Sequence, residues 1–179
     1  MDLKKICDNE IYLNKDIPIN ISKDILNFAE SGFKEIQTSK KVLDLFKSLG
    51  QKKIETEIAL TGLKTTLDTG REGPNIAVIG ELDGLPVPGH PHENKENGYA
   101  HACGHHAHIG SIFTVFMGLS NRKILNNLCG KITFIAVPAE EFVEIEWRNK
   151  LRENGHIEFL AGKQEMIKDG HFDLSLIHI

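Results

Sequence analysis

The chain has 179 residues, of which 40% are hydrophobic and 26% charged, with a net charge of −4. This suits one soluble folded domain; it excludes a disordered segment, a basic nucleic-acid surface and a span of the ~20 apolar residues a membrane requires. The start, MDLKKICDNEIYLNKD, lacks the apolar core of an export signal, and three cysteines (Cys7, Cys103, Cys129) make no disulfide framework, so a reducing, cytoplasmic setting is expected.

The polar stretch up to Asn20 reads as partly helical. Ile21–Ala29 is apolar at 21, 25, 26 and 29, the period of an amphipathic helix, with Ser22 as a candidate cap. Thr38 or Ser39 is expected to cap a second helix with Val42, Leu43, Leu45, Phe46 and Leu49 on its apolar face, ending at Gly50. Strands are expected over Lys53–Leu60 and Leu63–Leu67 around a Thr61-Gly62 turn, and over the buried run Asn75–Ile79. Residues 84–100 form a long loop rich in Gly, Pro, His and Asn, of a length that is often functional. Ala107–Leu119 reads as a helix and Lys131–Val137 as a second buried strand stopped by Pro138. Helices over Val143–Asn154 and Lys163–Asp169 and a third buried strand over Leu174–Ile179 follow. The alternation predicts an α/β sheet covered on both faces. A chain stopping inside an apolar strand is unusual, since termini favour exposed, mobile segments, so a longer polypeptide is expected.

Histidine usage marks the chemistry. Of nine histidines, His90, His92, His101, His105, His106 and His108 fall within one short stretch. In open α/β sheets ligands bind at the carboxyl ends of the strands. Three features share that position: Gly80-Glu81-Leu82-Asp83, Pro138-Ala139-Glu140-Glu141, and His178 in the last strand. The Cys103-Gly104-His105 turn leads into a helix, and its glycine lets both side chains face one point. Thiolate, imidazole and carboxylate together suit zinc, with manganese or cobalt as alternatives. Adjacent glutamates repel unless a cation or a proton relieves them. Because neighbouring residues point in different directions, one could bind metal while the other moves protons as general base and acid. Otherwise the pair is a solvated turn. Asp83 either accepts a proton from a ligand histidine and fixes its tautomer or caps a turn. His90, His92, His106, His108, His156 and His171 read as surface or substrate-side residues, and Cys7 and Cys129 as inert thiols.

At these residues the chain resembles the metal-dependent amidohydrolase and peptidase family that includes aminoacylases, indole-acetyl-amino-acid hydrolases and aminobenzoyl-glutamate hydrolases. The likeness runs from Glu30-Ser31-Gly32-Phe33-Lys34-Glu35 with Thr38-Ser39, through Thr61-Gly62 and Gly80-Glu81-Leu82-Asp83-Gly84-Leu85-Pro86, to His101-Ala102-Cys103-Gly104-His105 and Pro138-Ala139-Glu140-Glu141. The resemblance implies a three-layer, zinc-peptidase-like (phosphorylase/hydrolase-like) mixed sheet with helices on both faces, here incomplete. It implies Cys103, His105, Glu141 and His178 as ligands of two divalent metal ions, zinc or manganese. Glu140 becomes the general base and Asp83 its supporting catalytic carboxylate. The implied activity is hydrolysis of the amide of a small N-acyl or N-aroyl amino acid or peptide-like substrate, with no nucleic-acid or membrane partner. Residues 1–179 would be the N-terminal part of the catalytic domain, inactive without a lid or dimerisation domain and a C-terminal catalytic half; the full-length protein would be a homodimer. One departure stands out: the segment from Glu141 toward His178, which opens EFVEIEWRNKLRENGHIEF, is long and charged where many relatives are short and glycine-rich.

Two other classes compete. A metal-binding scaffold that has lost catalysis would not need Glu140; metal titration beside an acyl-amino-acid assay separates the two. A cysteine hydrolase using Cys103 with His101 or His105 leaves Glu140-Glu141 unexplained and would survive chelation.

Overall fold

The computed structural model describes residues 2–173 and, for the backbone, 176–178. Helices α1 (Leu3–Leu13), α2 (Asp16–Leu26) and α3 (Ile36–Ser48) precede strands β1 (Ile54–Ile58), β2 (Gly62–Asp68) and β3 (Asn75–Glu81). A two-stranded ribbon, β4 (Leu85–Pro86) with β5 (Tyr99–Ala100), leads to α4 (His105–Leu119) and α5 (Arg122–Leu125). Then follow β6 (Lys131–Val137), α6 (Ile145–Glu153), α7 (Gly162–Lys168) and β7 (Leu176–His178). The five-stranded sheet has the order β1-β2-β6-β3-β7. β1, β2 and β6 run antiparallel, whereas β6, β3 and β7 are parallel, so the sheet is mixed.

Strand β6 shows why the sequence folds this way. Every residue from Ile132 to Val137 is buried, as expected of a central strand with both faces covered. Ile132, Phe134 and Ala136 face the cluster built by α2, α3 and α4, with Ile25, Val42, Phe46, Ile109, Phe113 and Phe116. Ile135 and Val137 face the opposite cluster with Phe33, Ile157 and Met166. Ring centroids are 4.5 Å apart for Phe46–Phe113 and 5.4 Å for Phe116–Phe134. Burying each such ring stabilises the fold by about 1.5–3 kcal/mol. The helices on both faces and the mixed sheet agree with the expected class.

Local starts and stops differ from the sequence reading. Ser22 lies inside α2, which begins at Asp16 and ends at Leu26, so it caps nothing. Thr38 lies inside α3, and the free N–H groups of that helix are met by Glu30 instead. Its carboxylate accepts from Gln37 N at 3.1 Å and from Thr38 N and Oγ1 at 2.8 Å each. The β1–β2 turn is made by Ala59 and Leu60 in the left-handed region, with Gly62 already in β2. α4 starts two residues earlier than Ala107, at His105. The short α5 has no periodic signal of its own. Leu174, Ser175 and Ile179 of the expected last strand lie outside the described residues.

Candidate metal centre

The parallel pair β3 and β6 ends level, with Glu81 opposite Val137. Leu82 N continues the ladder to Val137 O at 2.9 Å, which carries Asp83 into a fully buried position. The chain then turns where Gly84 packs against Ala29 and the Ala100 carbonyl, with its N–H on Glu30 O at 2.8 Å. From the other side the 101–104 turn closes on Gly104, whose φ of +92° only glycine adopts cheaply. That turn presents His105 as the first residue of α4.

His105 Nδ1 donates to the Asp83 carbonyl at 2.8 Å, and Asp83 Oδ1 lies 3.3 Å from the same nitrogen. Nε2 is thereby left facing two carboxylates, Glu140 Oε2 at 3.8 Å and Glu141 Oε1 at 3.9 Å. These are loose distances for hydrogen bonds and suit groups disposed around a common point. Asp83 uses its other oxygen on the opposite strand end, accepting from Glu141 N at 2.9 Å. Burial alone would lower the His105 imidazole, but the Asp83 carboxylate and carbonyl outweigh it and lift the group to about 9. Cys103 is exposed beside Glu141, whose carboxylate, with burial, pushes the thiol up to about 11. A cation replacing the thiol proton would remove that conflict.

The structure thus brings Asp83, Cys103, His105, Glu140 and Glu141 together. It sets the backbone of His178 opposite Ala77, mid-strand in β3 and not level with Glu81; the His178 side chain lies outside the described residues. Among the described residues, two groups of ligand-type atoms fall within 4.8 Å of one another: His105, Glu140 and Glu141, and Glu81, His105 and His108.

Sequence reasoning passed over several participants. His108, one turn after His105 on the same face of α4, contacts Glu81 Oε2 through Nδ1 at 2.7 Å. Its three-residue spacing from His105 was the available signal. Lys163, at the start of α7, reaches Glu81 Oε1 at 2.8 Å and Glu140 Oε1 at 3.5 Å. Burial opposes charge on Glu81, yet Lys163 and His108 hold the carboxyl below its ordinary value. α7 comes this close because Gly162 sits on the Pro138 carbonyl, where any Cβ would lie 1.9 Å from the oxygen. Glu140, Glu141, Phe142, Ala161, Lys163 and Gln164 line a cavity of about 290 Å³. A larger one, about 890 Å³, lies at the other end of the strands around Asn75 and Lys131, and none of its described lining residues is a histidine. We place the candidate site at the smaller cavity, where the chemistry is.

The charged segment after Glu141 forms α6 and clamps the 31–34 loop. Glu144 accepts from Ser31 Oγ and pairs with Lys34 at 2.9 Å. Arg148 is fully buried, donating to Leu160 O at 2.8 Å with its guanidinium 5.3 Å from the Phe33 ring centroid.

At the ends of two parallel strands, one imidazole close to two adjacent carboxylates and a thiol make a donor set that suits divalent metal ions. Residues 77–178, more than half the chain, match the peptidase family M20/M25/M40, and the chain belongs to that family. It is 32% identical over 124 residues to N-acetyldiaminopimelate deacetylase of Brevibacillus brevis, covering 68% of this chain and 32% of that protein. It is also 32% identical over 126 residues to N-acetylcysteine deacetylase of Bacillus subtilis, covering 69% of this chain and 33% of that protein. The chain therefore spans about a third of the length of these curated relatives. Its fold is that of the Bacillus subtilis YXEP protein, a dinuclear metal-binding peptidase of the M20 family. The TM-score is 0.70 and the identity 25%, over 90% of this chain and 41% of that one.

Proposed function

We propose that these residues form the N-terminal part of the catalytic domain of a metal-dependent amide hydrolase, cleaving a small N-acyl or N-aroyl amino acid or related peptide-like substrate. The observation that carries the reading is His105. One ring nitrogen is pinned by Asp83, and the other faces Glu140 and Glu141 at 3.8 and 3.9 Å. The two deacetylase relatives support the substrate class, and the dinuclear neighbour supports two cations. Cys103, His105, Glu141 and His178 would hold divalent ions, zinc or manganese, on the chemistry of this mixed thiol, imidazole and carboxylate set. When bound, the ions supply Lewis-acid polarisation of the amide carbonyl and of water.

The chain's own residues do the rest. Asp83 holds the His105 tautomer and, through Glu141 N, ties the two strand ends together. Glu140 takes the proton from the attacking water and returns it to the leaving amine. Lys163, 3.5 Å from Glu140 Oε1, partly screens that carboxylate and competes with a bound cation for it. At about a third of the length of the deacetylases, residues 1–179 are proposed to bind metal with little turnover. The free cysteines, one of them at the site, suit a reducing, cytoplasmic setting.

Cobalt titration of the chain tests the division of roles. Glu141→Gln should weaken binding about 10- to 100-fold, and Glu140→Gln should leave it nearly unchanged. In any longer natural form with measurable hydrolysis, Glu140→Gln should cost about 10²- to 10⁴-fold in turnover with metal still bound. Unchanged turnover would remove Glu140 from its role.

A further inference from the structure

Glu35 is buried to zero exposure, and the mechanism above does not use it. It lies at the entrance to α3, and its carboxyl reaches the end of β6. Oε1 accepts from Ala139 N at 2.7 Å, and Oε2 accepts from Thr61 Oγ1 at 2.6 Å. Ala139 has a φ of +49°, a left-handed conformation that an L side chain resists, immediately before the glutamate pair.

Three consecutive peptide units are tied here. Glu35 holds the N–H of Ala139, Gly162 N donates to the Ala139 carbonyl at 3.0 Å, and Asp83 holds the N–H of Glu141. Once those planes are set, the directions of the Glu140 and Glu141 side chains follow. Close packing leaves the turn little other freedom: a Cβ on Gly32 would stand 2.6 Å from Ala139 Cα.

We infer that Glu35 is a positioning residue for Glu140 and Glu141, its buried carboxyl holding Ala139 in the left-handed turn that aims the two glutamates at different partners. The functional half of this inference rests on the separate roles proposed above; the geometric half stands without them. Burial, then the nearby Asp83, pushes the Glu35 carboxyl up to about 8, so a neutral side chain of the same shape is a fair replacement.

The experiment compares the wild-type chain with Glu35→Gln and Glu35→Met by residue-resolved hydrogen exchange and cobalt titration. Glu35→Gln keeps an acceptor for Ala139 N; Glu35→Met keeps the volume and loses the acceptor. In Glu35→Met, exchange at Ala139 should rise about tenfold, the equivalent of one net hydrogen bond, with Ile132–Val137 still protected. Cobalt affinity should fall by a similar factor, and Glu35→Gln should restore both. Unchanged exchange at Ala139 in Glu35→Met overturns the inference. So does a uniform loss of protection along β6 that Glu35→Gln fails to reverse, which would mark Glu35 as core only. Should Glu35→Met not fold, Thr61→Val cuts the second tether of the same carboxyl without touching Ala139. A smaller exchange rise confined to Ala139 is then expected, and none would overturn the inference. A wild-type chain that binds no cobalt would sink the metal reading, and the exchange result would still decide the brace.

Discussion

His101 and His105 stand four residues apart on one turn, both buried, and their surroundings drive them in opposite directions. Burial, reinforced by His106 and His105, outweighs a weaker opposing pull from Asp83 and pushes His101 down to about 4, and no geometric hydrogen bond to either ring nitrogen is found among the described residues. His105 suffers burial too, but Asp83 offers it both a carbonyl and a carboxylate, and it rises to about 9. Burial that outweighs a weakly coupled carboxylate makes a neutral imidazole. Burial beside a fixed carboxylate makes one that attracts a proton or, by the same electrostatics, a metal cation once the proton leaves. The difference lies in reach: the residue that begins α4 meets the end of β3.

Replacing Asp83 breaks the comparison most severely. In Asp83→Asn, His105 should titrate well below 9, since burial is then opposed only by the residue-83 carbonyl and by more distant carboxylates. NMR titration of the ring reads this. Cobalt affinity should fall about 10- to 100-fold, as expected when the partner of a ligand histidine is lost. A His105 still near 9 would show that Glu81, Glu140 and Glu141 suffice.

Stability against pH sharpens the same contrast in the metal-free chain. His101 stays neutral when folded but takes a proton when unfolded, so its contribution is lost as pH falls from 6.5 through about 4. His105 holds its proton more tightly when folded, so its contribution is full below 6.5 and lost as pH rises through about 9. Glu35 acts in the same sense as His105, with stability present below 4.5 and lost as pH rises through about 8. Chemical denaturation with a chelator present should therefore give a maximum at about pH 5–6. His101→Leu should flatten the acid limb, and Asp83→Asn the alkaline one.

The smallest effect belongs to Lys163. Its ammonium is partly exposed and competes with any cation for Glu81 and Glu140. Lys163→Met should raise cobalt affinity a few-fold, in keeping with about 0.2–1 kcal/mol for an exposed ion pair. A fall in affinity would mean that Lys163 orients the carboxylates more than it screens them.

What was legible in the chain follows from local physics. The largely apolar, β-branched segment Lys131–Val137, stopped by Pro138, reads as a strand covered on both faces, and it is β6 residue for residue. The alternation of such runs with amphipathic segments declared the α/β class, and the Cys-x-His turn and glutamate pair marked the segments that meet at the candidate site. Tertiary structure alone decided the remainder. Glu30 caps α3 in place of Thr38, Glu35 meets Ala139 across 104 residues of sequence, and Glu81 meets His108. The register sets His178 opposite Ala77. Hydrophobic period reports which face of an element is buried; it carries no information on which distant polar group will arrive to satisfy a buried N–H or balance a charge. Those partners exist only after the strands have aligned, and it is they that separate His105 from His101.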